Sequence, residues 1–321
     1  MNKITLCLSA LAVAGAASAQ TKWDLPTGYG ANSFQTQNVQ QFATDVDQLT
    51  GGKLKITLHP GGSLYKANEI KRAVQTGQVP SAEFILSGAA NENPLFGVDS
   101  IPFLATGYID AKRLYQAAKP AQDKLLASQG IKVLFTVPWP GQSLYSLKPI
   151  NTPADFASTK MRAYNPATTR IAQLLKAQPV TIQLAELGQA LATGGVQNFL
   201  TSSASGVESK LHEQVKYFYP VSAWLPRNAT VVNQKAFDAL DKPTQEAVLK
   251  AAAAAEARGW ATSERLDREY IKELGAKGMT IAAPSDAVKK ELAVIGETMT
   301  AEWLKTAGAE GQAVIDAYRK P

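Results

Sequence analysis

The chain has 321 residues, of which 45% are hydrophobic and 19% charged, and its formal net charge is +6. This length suits two globular domains, and the ordinary composition excludes a disordered or low-complexity protein. The basic residues are scattered without a run or a stripe, so the charge does not indicate a nucleic-acid partner. A mildly positive protein is suited to attracting anions.

Residues 1–19 have the features of a signal peptide. Lys3 lies in a short basic start, an apolar run covers residues 6–16, and Ala17-Ser18-Ala19 forms a small-residue cleavage site. The apolar run is too short to span a bilayer. We therefore expect cleavage after Ala19 and export to a bacterial periplasm. The only cysteine, Cys7, leaves with the signal peptide, so the product has no disulfide, thiol nucleophile or metal thiolate.

The next part of the chain alternates between strand and helix patterns. Alternating apolar residues predict strands, and apolar residues at helical spacing predict helices. These patterns predict strands over residues 23–28, 53–59, 82–86 and 131–137, and helices over 32–49 and 68–76. Such alternation is typical of an α/β fold, in which helices cover the sheets.

A very long helix is predicted towards the carboxyl end. Asp241 is a suitable N-cap, Pro243 is tolerated in the first turn, and helix-forming residues continue to about Ala276, shortly before Gly278. At 1.5 Å per residue such a helix extends roughly 50 Å. Because this exceeds the width of a small domain, we expect the helix to run across two domains.

One arginine stands out at the end of a short strand pattern. Arg162 lies in Lys160-Met161-Arg162-Ala163-Tyr164-Asn165-Pro166, where the strand pattern gives way to a helix-starting turn. Its planar guanidinium can bind a carboxylate through two parallel hydrogen bonds, which lysine does less specifically. The alternative is a structural ion pair at the surface. The residues alone leave both interpretations of Arg162 open.

Several short segments occur in the order and at the spacing of a known family. They are residues 50–54 (TGGKL), 60–64 (PGGSL), 101–103 (IPF), 150–156 (INTPADF), 160–162 (KMR), 185–191 (AELGQAL), 194–196 (GGV), 231–233 (VVN) and 241–245 (DKPTQ). On these segments the chain resembles the solute-binding proteins of tripartite ATP-independent periplasmic (TRAP) transporters, of the dicarboxylate-binding type.

The resemblance implies two α/β domains of the periplasmic-binding-protein fold, joined by hinge strands, with the ligand in the cleft between them. The first domain would comprise residues 20–139 and 227–265, and the second residues 140–226 and 266–321. The protein would capture a small organic acid, close around it and deliver it to a membrane permease. We expect a monomer without a cofactor, a metal or a nucleic-acid partner.

Candidate ligand-binding residues come from both domains. The family's carboxylate-binding arginine corresponds to Arg162, and the other second-domain candidates are Gln142, Asn165 and Thr201. In the first domain, the residues that follow predicted strands face the cleft of such folds. These candidates are Asn32, Phe34, Ser87 and Asn91. Trp139 and Trp224 would add aromatic surfaces to the cleft, unless they are ordinary core residues.

Two departures from the family favour a particular kind of ligand. Many members carry a second arginine where this chain has Gln142, and a Gly-x-Glu-Asn-Pro-like turn where residues 197–203 read QNFLTSS. With one fixed positive charge fewer, a second carboxylate in the cleft would stay unpaired. We therefore expect a monocarboxylate with a neutral remainder rather than a dicarboxylate or a sialic acid.

Two other functions compete with transport. An exported hydrolase would need a nucleophile or a general base beside Arg162. None is evident, because His59 and His212 lie far apart in sequence, and Ser202 and Ser203 lack the spacing of a nucleophile elbow. A sensor subunit that presents its ligand to a receptor would share the features of a transport receptor, so the sequence does not separate these two.

Overall fold

The structure, a computed structural model, describes residues 20–320, and the predicted signal peptide lies outside the described residues. The strands in this part of the chain are β1 Thr21–Pro26, β2 Leu54–His59, β3 Ser81–Ile85, β4 Ile131–Pro138, β5 Ser143–Ser146, β6 Lys160–Ala163, β7 Gln178–Thr181, β8 Asn198–Thr201, β9 Tyr217–Tyr219, β10 Arg227–Asn233 and β11 Thr280–Ile281. The α-helices are α1 Phe34–Leu49, α2 Ile70–Gln75, α3 Tyr108–Ser128, α4 Pro166–Leu174, α5 Leu187–Ala192, α6 Ser203–Glu208, α7 Gln234–Asp238, α8 Lys242–Ala276 and α9 Asp286–Arg319.

The first lobe is built on strands β1 to β4 and β10. Strands β1 and β2 pair in parallel, while β10 lies antiparallel between β3 and β4. A single parallel bridge between Thr27 and Glu83 joins these two small sheets. The side chains of Trp23, Phe42 and Phe135 are buried in one core with the inner faces of α1 and α8.

The second lobe contains a six-stranded sheet in the order β11-β9-β5-β8-β6-β7. Strand β6 runs parallel to β7 and β8, and β5 runs antiparallel to β8 and β9. Its main core joins Phe156, Met161, Ile171 and Leu292, so α4 and the first half of α9 cover this sheet. Both lobes combine sheets with covering helices, which confirms the predicted α/β fold.

Two extended segments connect the lobes and lie side by side. Residues 139–142 lead from β4 to β5, and residues 220–226 lead from β9 to β10. The Trp139 amide donates to the Pro226 carbonyl at 2.8 Å, and the Gln142 amide donates to the Trp224 carbonyl at 2.8 Å. Paired connections of this kind are where a two-lobed protein can bend.

Helix α8 is the long helix that the sequence predicts. The Asp241 side chain accepts a hydrogen bond from the Thr244 amide at 2.8 Å and so caps its first turn. Its 35 residues extend roughly 50 Å. Val248 and Leu266 pack in the core of the first lobe, and Leu274 packs in a core of the second. The prediction that one helix spans both lobes is therefore confirmed.

Other elements also match their predictions closely. The four predicted strands correspond to β1–β4. Helices α1 and α2 each begin two residues later than predicted, and Ser33, the N-cap of α1, has extended backbone angles.

The carboxyl-terminal helix returns to the first lobe. Helix α9 changes direction at Gly308, where φ is 59°. Beyond this point Val314 and Tyr318 pack with Leu114 of α3. The predicted second domain extends to residue 321, whereas these last turns contact the first lobe.

Candidate functional site

A cavity of about 140 Å³ lies between the two lobes. Its polar and aromatic lining residues include Tyr29, Lys71, Glu83, Trp139, Gln142, Arg162, Tyr164, Gln183 and Thr201. Four of the predicted ligand-binding residues are among them, namely Arg162, Gln142, Thr201 and Trp139.

Strand β6 carries Arg162 to the wall of this cavity. The side chain is only 3% exposed, and its Nε donates to the Ile182 carbonyl at 2.9 Å. Its Nη1 is buried without a hydrogen-bond partner. Removal from water disfavours the charged form and lowers the pKa of Arg162 to about 10, so the group is still cationic at neutral pH. The outer edge of the guanidinium is thus available to an anion.

A second buried arginine shows what a structural ion pair looks like in this protein. Arg227 donates from Nε to Asp99 Oδ2 at 3.1 Å and from Nη2 to Gln122 Oε1 at 2.9 Å. Arg162 takes part in none of the ion pairs found within residues 20–320. A buried cation without a counter-ion is costly unless a negative partner arrives. The alternative of a surface ion pair at Arg162 is therefore wrong.

The other second-lobe side chains that line the cavity are neutral. Outside this lining, the charge of Glu186 in the same lobe opposes the lowering of the pKa of Arg162 by burial. The Tyr164 ring centre lies 5.0 Å from Arg162 Cζ, and the Tyr164 hydroxyl donates to Gln142 Oε1 at 3.1 Å. Gln142 Nε2 donates in turn to the Pro140 carbonyl at 3.2 Å. Gln142, the residue at which the sequence departs from the resemblance, is therefore a hydrogen-bonded amide in the cavity wall.

The first lobe contributes a buried hydrogen-bond network to the cavity wall. Glu83 Oε1 accepts from Asn228 Nδ2 at 2.9 Å, and Oε2 accepts from the Thr27 hydroxyl. Asn228 Oδ1 accepts from Trp139 Nε1 at 2.9 Å and from the Tyr29 hydroxyl at 3.2 Å. Burial raises the pKa of Glu83, and the hydrogen bonds from Thr27 and Asn228 oppose this rise.

Asn165 and Ser87 join the two lobes at the edge of the cleft. Asn165 Nδ2 donates to Ser87 Oγ at 3.0 Å, and Asn165 Oδ1 accepts from the Thr168 amide at 2.8 Å as the cap of α4. Both side chains are buried, but neither is among the residues that line the cavity. Their contact connects the lobes directly.

Asn32 and Phe34 lie at the amino end of α1 and also contact the second lobe. Asn32 Nδ2 donates to the Glu208 carbonyl at 2.8 Å, and the Phe34 amide donates to Glu208 Oε1 at 2.8 Å. The Phe34 ring packs edge-on against Trp139, with ring centres 5.3 Å apart. Neither residue lines the cavity.

The two other predicted residues lie elsewhere. Asn91 is exposed, and Trp224 is buried in the main core of the second lobe. Neither is part of the cavity wall.

Sequence reasoning missed Tyr29, Glu83, Tyr164 and Gln183. A signal for Glu83 was present, because a carboxylate in the middle of a buried strand pattern needs a partner or a role. Tyr164 also had a signal, since residues two apart along an extended chain point to the same side as Arg162. Tyr29 and Gln183 lie in loops whose sequences give no comparable indication of a binding role.

The described part of the chain shows neither a metal site nor a membrane span. Within residues 20–320 there is no group of His, Cys, Asp or Glu side chains that would hold a metal ion. In the same range, no helix is both long and apolar enough to cross a bilayer.

The model of the family described as bacterial extracellular solute-binding protein, family 7 (DctP), matches residues 27–306. The chain belongs to this family. Family 7 proteins are solute-binding proteins of transport systems, so the chain is a binding protein and not an enzyme. The family also confirms the resemblance to TRAP solute-binding proteins.

Three solved structures are similar to this family 7 chain along its length, each with a TM-score of 0.92. DctP6 of Bordetella pertussis, a receptor that binds pyroglutamic acid, is 51% identical; the match covers 94% of this chain and 100% of DctP6. A marine metagenome TRAP solute-binding protein specific for pyroglutamate is 44% identical, with 94% and 99% covered. DctP7 of Bordetella pertussis, which also binds pyroglutamic acid, is 40% identical, with 94% and 100% covered.

Proposed function

We propose that this family 7 protein is the periplasmic receptor of a TRAP transporter and that its ligand is pyroglutamate. Pyroglutamate is a cyclic amide, or lactam, that carries one carboxylate. The observation that carries the proposal is Arg162, a buried guanidinium with an unpartnered Nη1 in the wall of a cavity between the lobes. Three relatives that are 40–51% identical bind this same ligand, which supports the choice.

The bonds of Arg162 favour a particular mode of binding. Because Nε is engaged by the Ile182 carbonyl, the two outer nitrogens are left for the ligand. Together they match the two oxygens of a carboxylate, which would accept two parallel hydrogen bonds. Gln142 and Thr201 would add hydrogen bonds from the same lobe, and Trp139 an aromatic surface.

The charges around the cavity favour a single carboxylate. Lys71 is the other cation among the lining residues, and it already pairs with Glu92. A second carboxylate on the ligand would therefore be desolvated without a partner, which costs several kcal/mol. The cavity of about 140 Å³ also favours a small acid.

The sequence features and the family together indicate how the protein would be exported and how it would deliver its ligand. The chain would be exported, cleaved after Ala19 and released into the periplasm as a monomer. The lobes would close around the ligand, and the closed form would deliver it to a membrane permease. The intact mass of protein from the periplasmic fraction tests the processing step, and we expect a chain that begins at Gln20.

Identification of the natural ligand tests the proposed function. Protein purified under native conditions is denatured, and the small molecules that it releases are identified by mass spectrometry. We expect pyroglutamate, chemically unchanged after prolonged incubation with the protein. Release of a dicarboxylate or a sugar acid would overturn the choice of ligand, and conversion over many turnovers would overturn the binding role.

A further inference from the structure

The Trp139 indole fixes the direction of the hydrogen bonds around Glu83. Trp139 Nε1 can only donate, so the Asn228 atom 2.9 Å away acts as the acceptor and is the amide oxygen. The Asn228 nitrogen therefore points to Glu83 Oε1, at 2.9 Å, and donates to it. Glu83 Oε1 is thus an acceptor, as expected for a carboxylate.

Glu83 lines the cavity without a positive partner. It takes part in none of the ion pairs within the described part of the chain. The Lys71 ammonium is held by Glu92 and by Gln129 Oε1, the latter at 2.8 Å. A carboxylate has about four acceptor positions, and Thr27 and Asn228 use only two of those on Glu83. It can therefore accept a further hydrogen bond from a ligand.

Tyr29 connects Glu83 with Arg162 electrostatically. Burial and then the charge of Glu83 raise the pKa of the Tyr29 hydroxyl, whereas the charge of Arg162 lowers it. The Tyr29 hydroxyl donates to Asn228 Oδ1 at 3.2 Å, and the nitrogen of the same amide donates to Glu83. Since Tyr29, Glu83 and Arg162 line one small cavity, a ligand that Arg162 holds by its carboxylate also reaches the wall that contains Glu83.

We propose that Glu83 determines specificity by accepting a hydrogen bond from the ring N–H of pyroglutamate while Arg162 holds its carboxylate. This inference rests on the proposed ligand. An N–H group gives the buried carboxylate a donor. A ring oxygen in the same place would turn one of its lone pairs towards a lone pair of Glu83. A second carboxylate on the ligand would place a negative charge beside the negative charge of Glu83.

The first test needs only the wild-type protein. Ligand-free protein is titrated with pyroglutamate and with 5-oxotetrahydrofuran-2-carboxylate, the lactone in which oxygen replaces the ring N–H. A site built around that N–H should bind the lactone more weakly by roughly 100-fold or more. Binding of the two within a few fold overturns the role of Glu83. If neither compound binds, the proposed ligand is wrong and the role of Glu83 falls with it.

The second test compares two Glu→Gln substitutions, one in the cavity wall and one outside it. In Glu83→Gln, the new amide can still accept from Asn228 and donate to Thr27, but it loses the charge. We expect the preference of this variant for pyroglutamate over the lactone to be at least tenfold smaller than that of the wild type. We also expect glutarate, an open-chain diacid, to bind the variant more tightly than it binds the wild type. Glu246→Gln, at an exposed position on α8 outside the cavity lining, is the matched control and should keep the wild-type preference.

The comparison of the variants has one outcome that contradicts the proposal. If Glu83→Gln folds, as a melt without ligand would show, and keeps the wild-type preference, Glu83 does not contact the ring N–H. If Glu83→Gln does not fold, the titrations of the wild type still decide.

Discussion

At the scale of single residues, the proposed binding of a carboxylate depends on how Arg162 is held. Its Nε is tied to the Ile182 carbonyl, and the Tyr164 ring lies beside the guanidinium. These contacts fix the plane of the fork and leave Nη1 buried and unpartnered. A ligand carboxylate would supply the missing negative partner, so the affinity should respond strongly to changes at this position.

The first prediction concerns Arg162→Ala. Its loss leaves the ligand carboxylate desolvated and unpaired, which should weaken binding by roughly 2–5 kcal/mol. Arg162→Lys keeps the charge but loses the fork, so it should restore only part of this loss. Arg170→Ala is the matched control, because Arg170 lies in the same lobe outside the cavity lining and pairs with Glu302 at 2.6 Å. Calorimetric titration of the three variants with pyroglutamate measures the effect.

Two outcomes would count against the role of Arg162. Binding by Arg162→Ala within a few fold of the wild type would mean that another group holds the carboxylate. A loss of folding in the absence of ligand, seen in a thermal melt, would mean that Arg162 is needed for structure.

There is a physical reason why some site residues could be predicted from the sequence and others could not. Arg162 lies within the family segment at residues 160–162, so local sequence marks it. The network of Glu83 joins Thr27, Asn228 and Trp139, which are 56 and more residues away along the chain. Only the three-dimensional pairing of β3 with β10 brings such residues together, and a single sequence does not reveal it.

At the scale of elements, α1 and α6 form a contact between the lobes. The first amides of a helix have no partners within that helix. At the start of α1 the Phe34 amide donates to Glu208, which lies on α6 in the other lobe, at 2.8 Å. This cap exists only when the lobes touch, so it stabilises the closed arrangement.

The second prediction follows from the pKa of Glu208. Burial raises this pKa from 4.5 to about 7, against the hydrogen bonds from Phe34 and Ser33. The folded protein therefore binds this proton more tightly than the unfolded chain does. The resulting stability is complete below pH 4.5 and is lost as the pH rises through 7. Glu208→Gln does not titrate, so wild-type stability relative to this variant should fall over that range.

Urea unfolding at several pH values measures this difference. Glu213→Gln, at an exposed position a few residues away, serves as the control and should show no comparable trend. A difference between the wild type and Glu208→Gln that is independent of pH would contradict the prediction.

The third prediction concerns the packing of α8. A Cβ atom at Gly259 would lie 2.3 Å from Val137 Cγ2 and 2.9 Å from Asn38 Nδ2. Gly259→Ala should therefore reduce the free energy of unfolding by about 1–3 kcal/mol, although alanine favours helices. Gly275→Ala in the same helix faces the partly exposed Ile281 side chain and should be neutral or slightly stabilising. Thermal melts that rank the two variants in the opposite order would contradict this packing.

At the scale of elements, the sequence predicts those features that residues close together along the chain determine. Helix α8 begins with an Asp cap and a proline and continues through strong helix formers, so its bounds follow from the sequence. The turn of α9 at Gly308 has no such mark, because its direction is set by the packing of Val314 and Tyr318 against α3.

At the scale of the whole molecule, four connections in the described part of the chain join the two lobes around the cavity. They are the paired segments at residues 139–142 and 220–226 and the long helices α8 and α9. The contacts Asn165–Ser87 and Phe34–Glu208 join their surfaces. In the proposed function, closure over a small acid would link ligand binding to the shape that a permease recognises. The combination of one unpaired cation and one unpaired carboxylate in the cavity wall suits a ligand with one carboxylate and one neutral donor.

The most direct measurement is a calorimetric titration of ligand-free wild-type protein, unfolded and refolded to remove any bound molecule, with pyroglutamate and with succinate. We predict one site per chain and pyroglutamate binding tighter than succinate by roughly 100-fold or more, because a second buried carboxylate has no partner. Tighter binding of succinate, or the absence of any binding of pyroglutamate by the refolded protein, would contradict the account.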